Sequence, residues 1–113
     1  MRILIQRVGW GRVRVDENTV GEIGKGLVLL LGIAPEDSDV VADAMAKKVA
    51  HLRIFEDSEG RMNESLLEVG GGALVVSQFT LFADCTKGRR PFFGNAAPPQ
   101  EARILCEYFA QAL

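Results

Sequence analysis

The sequence has 113 residues, 48% of them hydrophobic and 25% charged, with a formal net charge of -2. That composition excludes intrinsic disorder and leaves room for one modest core, since a domain of this size buries roughly two thirds of the surface its unfolded chain exposes. The negative balance excludes a protein that coats nucleic acid through bulk positive charge, but not a local basic patch.

The N-terminal run Met1-Arg2-Ile3-Leu4-Ile5-Gln6-Arg7 carries charge inside its apolar stretch and lacks a small-residue cleavage site. It does not read as a signal peptide, and a cytoplasmic protein is expected. Residues 2–8 and 11–15 are rich in Ile, Leu and Val with charges interleaved, and Gly9 and Gly11 lie between them. Two strands or one strongly bent ribbon are predicted, with Arg12 and Arg14 sharing a face as one candidate basic patch. Asp16-Glu17-Asn18 makes a turn, Val20 to Ile23 a short strand and Gly24-Lys25-Gly26 a second turn. The run Leu27 to Leu31 fits a strand buried on both faces; even extended to Ala34 it is too short to cross a bilayer.

After Pro35, Asp37 or Ser38 is placed to cap a helix whose apolar positions Val41, Met45, Val49 and Leu52 fall near helical spacing. Arg53-Ile54-Phe55 reads as a short strand, and the polar stretch Glu56 to Gly60 as a turn. Gly70-Gly71-Gly72 precede a second long strand, Ala73 to Phe82, and Pro98-Pro99 open a last helix with Ala102, Leu105, Phe109 and Leu113 on one face. The order β-β-β-β-α-β-β-α, without repeats or a linker, predicts an α/β fold with a mixed β-sheet and two helices, one domain over residues 1–113. The absence of a C-cap residue after Leu113 leaves two readings open: a helix that closes the domain, or a domain that continues.

Chemistry concentrates in Leu74-Val75-Val76-Ser77-Gln78-Phe79-Thr80-Leu81-Phe82, where three polar side chains interrupt a strand otherwise built for burial. As a continuous strand it would put Gln78 and Thr80 on one face and Ser77 and Phe79 on the other. Buried hydroxyls and amides cost roughly 1 to 3 kcal/mol each if unpaired, so they require neighbouring backbone or a ligand. A nucleophilic triad would have to use His51, the one histidine, on the polar side of its helix beside Lys47. Cys85 and Cys106 lack CxxC spacing and, with a single histidine, assemble no zinc set; free thiols, no metal and no cofactor are expected. What is left is Thr80 or Ser77 as an unactivated hydroxyl, or a site whose groups only position and polarise the substrate. The following loop, Asp84 to Phe93, sets Lys87, Arg89 and Arg90 beside aromatic rings, a combination suited either to a nucleotide end or to an ordinary basic surface.

Several segments in order carry a resemblance: Gln6-Arg7-Val8, the Gly-Lys-Gly turn, Gly60-Arg61-Met62-Asn63-Glu64-Ser65, Ser77-Gln78-Phe79-Thr80-Leu81, Lys87-Gly88-Arg89-Arg90-Pro91 and Ala96-Ala97-Pro98. Together they resemble the D-aminoacyl-tRNA deacylase family along essentially the whole chain. The resemblance implies hydrolysis of the ester between a D-amino acid and the 3′-terminal adenosine of tRNA, in a homodimer with sites at the subunit interface. It implies catalytic work around Ser77, Gln78 and Thr80, with Phe79, Lys87, Arg89, Arg90 and Pro91 binding substrate. Thr80 is either a nucleophile or a positioning group; lack of a histidine to activate it favours the second. Family members continue into strands with a Gly-Pro motif that rejects L-amino acids, and nothing in 1–113 matches it, so a C-terminally incomplete chain is expected. Phe92 departs from the small residue usual after the Arg-Pro pair. The alternatives are a tRNA acceptor-end binding module without catalysis, a synthetase-type editing domain and a structural β-rich domain.

Overall fold

Alternating apolar and charged residues pair the first strand, β1 (Arg2–Val8), with β4 (Gly26–Gly32) in a computed structural model that describes residues 1–113. The pair is antiparallel and runs from Arg2 opposite Gly32 to Val8 opposite Gly26. On its other side β4 lies parallel to β7 (Gly72–Ser77), so the sheet order is β1-β4-β7 and the sheet is mixed. β2 (Gly11–Val15) and β3 (Asn18–Ile23) form a separate antiparallel hairpin. Its turn holds Asp16 and Glu17 at φ 49° and 70°, the left-handed pair that matches the twist of a two-residue hairpin. Gly26 and Gly72 start their strands side by side, and a Cβ on Gly26 would overlap the Gly72 carbonyl. The Gly-Lys-Gly turn and the triple glycine are two halves of one close backbone approach.

Leu27, Leu29 and Leu31 of β4 are fully buried and form the centre of the core. Val28 and Leu30 are half-buried, so β4 has one core face rather than two; Leu74 and Val28 on the other face lie against the hairpin at Gly11. On the core face sit α1 (Asp39–His51) and α3 (Pro99–Ala112), packed together, and Phe55 and Phe109 are fully buried in the same core. Truncating a fully buried phenylalanine such as Phe109 to alanine costs about 3–5 kcal/mol.

The face α1 buries is not the predicted one. Ala42, Ala46, Val49 and Ala50 are buried, whereas Val41, Met45 and Leu52 are only half-buried. Two rows of apolar residues share Val49, and the row of small side chains wins because it admits the closest approach to α3. Neither predicted residue caps α1 through its side chain: Ser38 occupies the N-cap without a side-chain bond, and the Asp37 carboxylate instead accepts from the Ala34 N–H at 2.8 Å and the Met1 ammonium at 2.9 Å. The last helix follows expectation, with Ala102, Leu105 and Phe109 buried, Cys106 beside them, and Leu113 half-buried.

Three small elements lie between α1 and β7. Of the strand expected at Arg53–Phe55 only Phe55 is in one: β5 (Phe55–Glu56) starts there and pairs with β6 (Met62–Glu64), which the polar sequence did not announce. The single turn α2 (Leu66–Val69) is held by a capping box in which the Ser65 hydroxyl accepts from the Glu68 N–H and the Glu68 carboxylate accepts from the Ser65 N–H. Gly70, at φ 62°, ends it. The predicted strand Ala73–Phe82 stops at Ser77; residues Phe79–Phe82 form a 3-10 turn. No helix is long and apolar enough to cross a membrane.

Candidate active site

The polar segment is placed by the end of β7. The Gln78 N–H donates to the Leu31 carbonyl at 2.7 Å, a last ladder bond to β4, and the chain then turns. The Leu81 N–H donates to the Gln78 carbonyl at 3.4 Å and the Ala83 N–H to the Thr80 carbonyl at 3.1 Å, closing the 3-10 turn. Strand alternation therefore does not govern Gln78 and Thr80. Ser77 and Phe79 both line a pocket of about 280 Å³ whose other wall is Ala96, Ala97, Pro99 and Ala102, at the start of α3. Gln78 is half-buried and Thr80 exposed, and neither side chain lines the pocket. In a helical turn the first N–H groups have no acceptor within it, so those of Phe79 and Thr80 lack one in the turn.

The segment Asp84–Ala97 follows the turn and ends in the pocket wall at Ala96 and Ala97. Asp84 and Phe92 exchange backbone hydrogen bonds of 2.8 Å in both directions and pinch off the loop between them. At its base the Asp84 carboxylate accepts from the Thr86 N–H at 2.9 Å, and this bond holds its pKa below the ordinary aspartate value. Gly88, at φ 79°, supplies the left-handed residue the loop needs. Lys87, Arg89, Arg90 and Pro91 are all exposed, and none of the three cations forms an ion pair with a carboxylate. A second hollow of about 380 Å³ lies against Asp84, Thr86, Lys87 and Phe92. Past the loop, the ring of Phe93 meets that of Phe79 edge-on, with centroids 5.0 Å apart. Phe79 and Phe92 remain 54% and 61% exposed, and Phe92 shares its hollow with Lys87.

His51 takes no part in this arrangement. It sits exposed in the last turn of α1, its Nδ1 2.8 Å from the Lys47 carbonyl oxygen, and it lines none of these hollows. Cys106 lies in the core, where burial and the neighbouring Glu107 charge raise its thiol pKa. Both cysteines are free. No group of three or more His, Cys, Asp or Glu side chains gathers anywhere in the fold. The sequence reading missed the opposite wall: Ala96, Ala97 and Pro99 carry no chemistry of their own, and their small size is what opens the pocket. A larger hollow, about 480 Å³, lies away from these polar groups and is bounded mainly by apolar residues of α2, β7 and the end of α3.

The family model described as D-Tyr-tRNA(Tyr) deacylase matches residues 4–113. A D-aminoacyl-tRNA deacylase of Shouchella clausii is 59% identical over 109 residues, covering 96% of this chain and 75% of that protein. One of the same name from Thermomicrobium roseum is 58% identical, covering 100% of this chain and 73% of its own length. Among solved structures, one named c-Myc DNA Unwinding Element Binding Protein superposes with a TM-score of 0.89 at 35% identity, over 96% of this chain and 73% of that one. Another, a probable eukaryotic D-amino acid tRNA deacylase, shares the fold at a TM-score of 0.82 and 20% identity, covering 97% of this chain and 64% of its own. The chain spans about three quarters of the length of these curated relatives. With the model matching nearly from end to end, the chain belongs to the D-Tyr-tRNA(Tyr) deacylase family.

Proposed function

We propose that the deacylase reaction of this chain, hydrolysis of the ester joining a D-amino acid to the 3′-terminal adenosine of tRNA, runs at the pocket between Ser77–Thr80 and Ala96–Ala102. What supports this reading is that pocket, with the open Phe79 ring in its wall, on a chain segment that runs on into a loop bearing three unpaired cations, Lys87, Arg89 and Arg90, and the open ring of Phe92. Cations neutralise the phosphates of a nucleotide end while rings stack on its base. Ser77 orients the aminoacyl group, Gln78 acts through its backbone, which fixes the start of the turn, Phe79 contacts the adenosine, and Pro91 stiffens the loop that carries the cations.

The site acts by positioning. Thr80 has no imidazole to take its proton, and its side chain is outside the pocket lining. Backbone N–H donors at Phe79 and Thr80 hold the ester carbonyl oxygen, and the vicinal 2′-hydroxyl of the ribose helps direct water to the carbonyl carbon. The bond from that carbon to the ribose 3′-oxygen breaks, a bond to the water oxygen forms, and the products are a free D-amino acid and a tRNA whose 3′-hydroxyl has regained a proton. Chiral rejection is left to the Gly-Pro motif, which nothing in 1–113 matches. A homodimer with sites at the subunit interface belongs to the same proposal, as does a cytoplasmic location, where tRNA is charged. So does the single deacylase domain over 1–113, which the relatives extend by about a quarter of their length.

The test is a deacylation time course on D-tyrosyl-tRNA and L-tyrosyl-tRNA, with the terminal ribose either intact or lacking its 2′-hydroxyl, and with Thr80→Ala in parallel. Loss of the D-ester, slowed roughly a hundredfold or more without the 2′-hydroxyl and less than about tenfold by Thr80→Ala, supports the reading, and sparing of the L-ester would show selection without the Gly-Pro motif. Normal cleavage without the 2′-hydroxyl together with abolition by Thr80→Ala would make Thr80 the nucleophile. Retained tRNA affinity with no cleavage of either ester would leave a binding module.

A further inference from the structure

The 3-10 turn at the site has a weak point at its C-terminal end. Four residues close few internal bonds, and the carbonyls of the last residues have no donor within the turn. One of them, Leu81, receives a donor from the far end of the chain: Arg2 Nη1 donates to its oxygen at 2.8 Å. The same guanidinium stands 4.6 Å from the centroid of the Phe82 ring. From another side Gly32 admits that ring, since a Cβ there would come within 2.9 Å of two of its carbons and 3.0 Å of Leu81 Cβ. Arg2 and Gly32 are direct cross-strand partners on β1 and β4, so one rung of the sheet clamps the turn through a hydrogen bond, a cation–π contact and a fitted ring.

We infer that Arg2 is a positioning residue for the deacylase site: through Leu81 and Phe82 it fixes the 3-10 turn that carries Phe79 and Thr80, without itself touching substrate. This rests on the reading of Ser77–Thr80 as the ester site. Arg2 lines none of the hollows around that site, whereas the turn it holds supplies Phe79 to the pocket wall. A misplacement of about 1 Å in a positioning site costs up to roughly a hundredfold in rate, so an anchor at the end of a four-residue turn bears directly on turnover.

The experiment compares wild type, Arg2→Met, Arg2→Lys, Gly32→Ala and, as a control of equal charge change, Arg103→Met, whose ion pair with Glu107 is exposed on α3. Deacylation of D-tyrosyl-tRNA is measured for kcat and KM across a salt series, and backbone amide shifts and exchange are followed at Leu81 and Ala83. Expected for Arg2→Met is a kcat lower by roughly ten- to a hundredfold with KM and its salt dependence unchanged, perturbed amides confined to residues 78–83, and partial rescue in Arg2→Lys. Gly32→Ala gives the same kcat signature from the other side of the ring, and Arg103→Met changes nothing. A raised KM with a shallower salt slope would instead make Arg2 a phosphate-binding cation and overturn the inference. Unchanged amides at 78–83 overturn it too, as does a kcat that never falls. Should wild type cleave no ester, the ester-site reading fails, and with it the link to turnover; the amide data then still decide separately whether Arg2 holds the turn.

Discussion

The rings of Phe79 and Phe93 meet at an interplanar angle of 70°, with their centroids 5.0 Å apart, and so join the 3-10 turn to the segment that returns from the basic loop. Edge-to-face pairs contribute about 0.5–1.5 kcal/mol beyond their buried area. Replacing Phe93 with leucine keeps most of the apolar volume and removes the edge contact. The expected result is a loss of about 1 kcal/mol in a urea unfolding titration, with KM for D-aminoacyl-tRNA raised several-fold as the pocket wall loosens.

Lys87, Arg89 and Arg90 have no intramolecular ion pairs to satisfy, so their proposed partner is phosphate. Single alanine substitutions at each should weaken tRNA binding at low salt and flatten the plot of log affinity against log salt by about 0.7 to 1 per cation removed. Filter binding across a salt series reads this. Slopes identical to wild type in all three variants would place the phosphates elsewhere.

Strands and helices were legible where periodicity was strong and local. Ser77, Gln78 and Thr80 stood out in the sequence because polar side chains interrupt a β-prone run, and of these only Ser77 lines the pocket. The break after Ser77 was not legible, because Phe79-Thr80-Leu81-Phe82 has good strand propensity and is bent by distant partners, the Leu31 carbonyl, Gly32 and Arg2. Arg2 and Leu81 are 79 positions apart, and no local pattern announces such a pair. On α1 two apolar rows were available at helical spacing, and only the volume available beside α3 decided for the alanines. β6 and α2 escaped because a three-residue strand and a four-residue helix are too short to show a period, although the capping box at Ser65 and Glu68 was present as a signal.

The β2–β3 turn carries side chains where glycine or asparagine is preferred: Asp16 tolerates its left-handed conformation better than Glu17 does. Changing Asp16-Glu17 to Asn-Gly should stabilise the protein by about 1 kcal/mol, seen as a rise of roughly 4–8 °C in melting temperature for a domain of this size. The turn lines no hollow of the site, so deacylation at a fixed low temperature should be unaffected. A lowered melting temperature would mean that the turn side chains make contacts that outweigh backbone strain.

The Tyr108 hydroxyl donates to both oxygens of Asp43, at 2.9 and 3.0 Å, tying α3 to α1 at the surface. That hydrogen bond, with desolvation and the charges of Asp43 and Asp39, raises the phenol pKa above its ordinary value. A folded pKa above the unfolded one means the native state holds the proton more tightly. The stabilisation is therefore complete below the unfolded tyrosine range and is lost as pH rises through the folded pKa. Thermal unfolding followed from neutral to strongly alkaline pH should show part of the alkaline decline disappear in Tyr108→Phe.

Cys85 and Cys106 differ in access and in ionisation. Cys85 is exposed in the basic loop, while Cys106 is packed in the core with Phe109 and Leu105, its thiol pushed up by burial and by the Glu107 charge. Alkylation requires thiolate and access together, so Cys106 is doubly protected in the native state. Iodoacetamide at neutral pH, followed by peptide mass spectrometry, should modify Cys85 in the folded protein and Cys106 only as the protein unfolds. Cys106 labelling across a urea titration should then follow the global transition, since exposing it requires α3 to leave α1 and the sheet. Labelling of Cys106 well before that transition would show α3 detaching on its own, and because α3 begins at Pro99 in the pocket wall, deacylation should be lost at the same urea concentration.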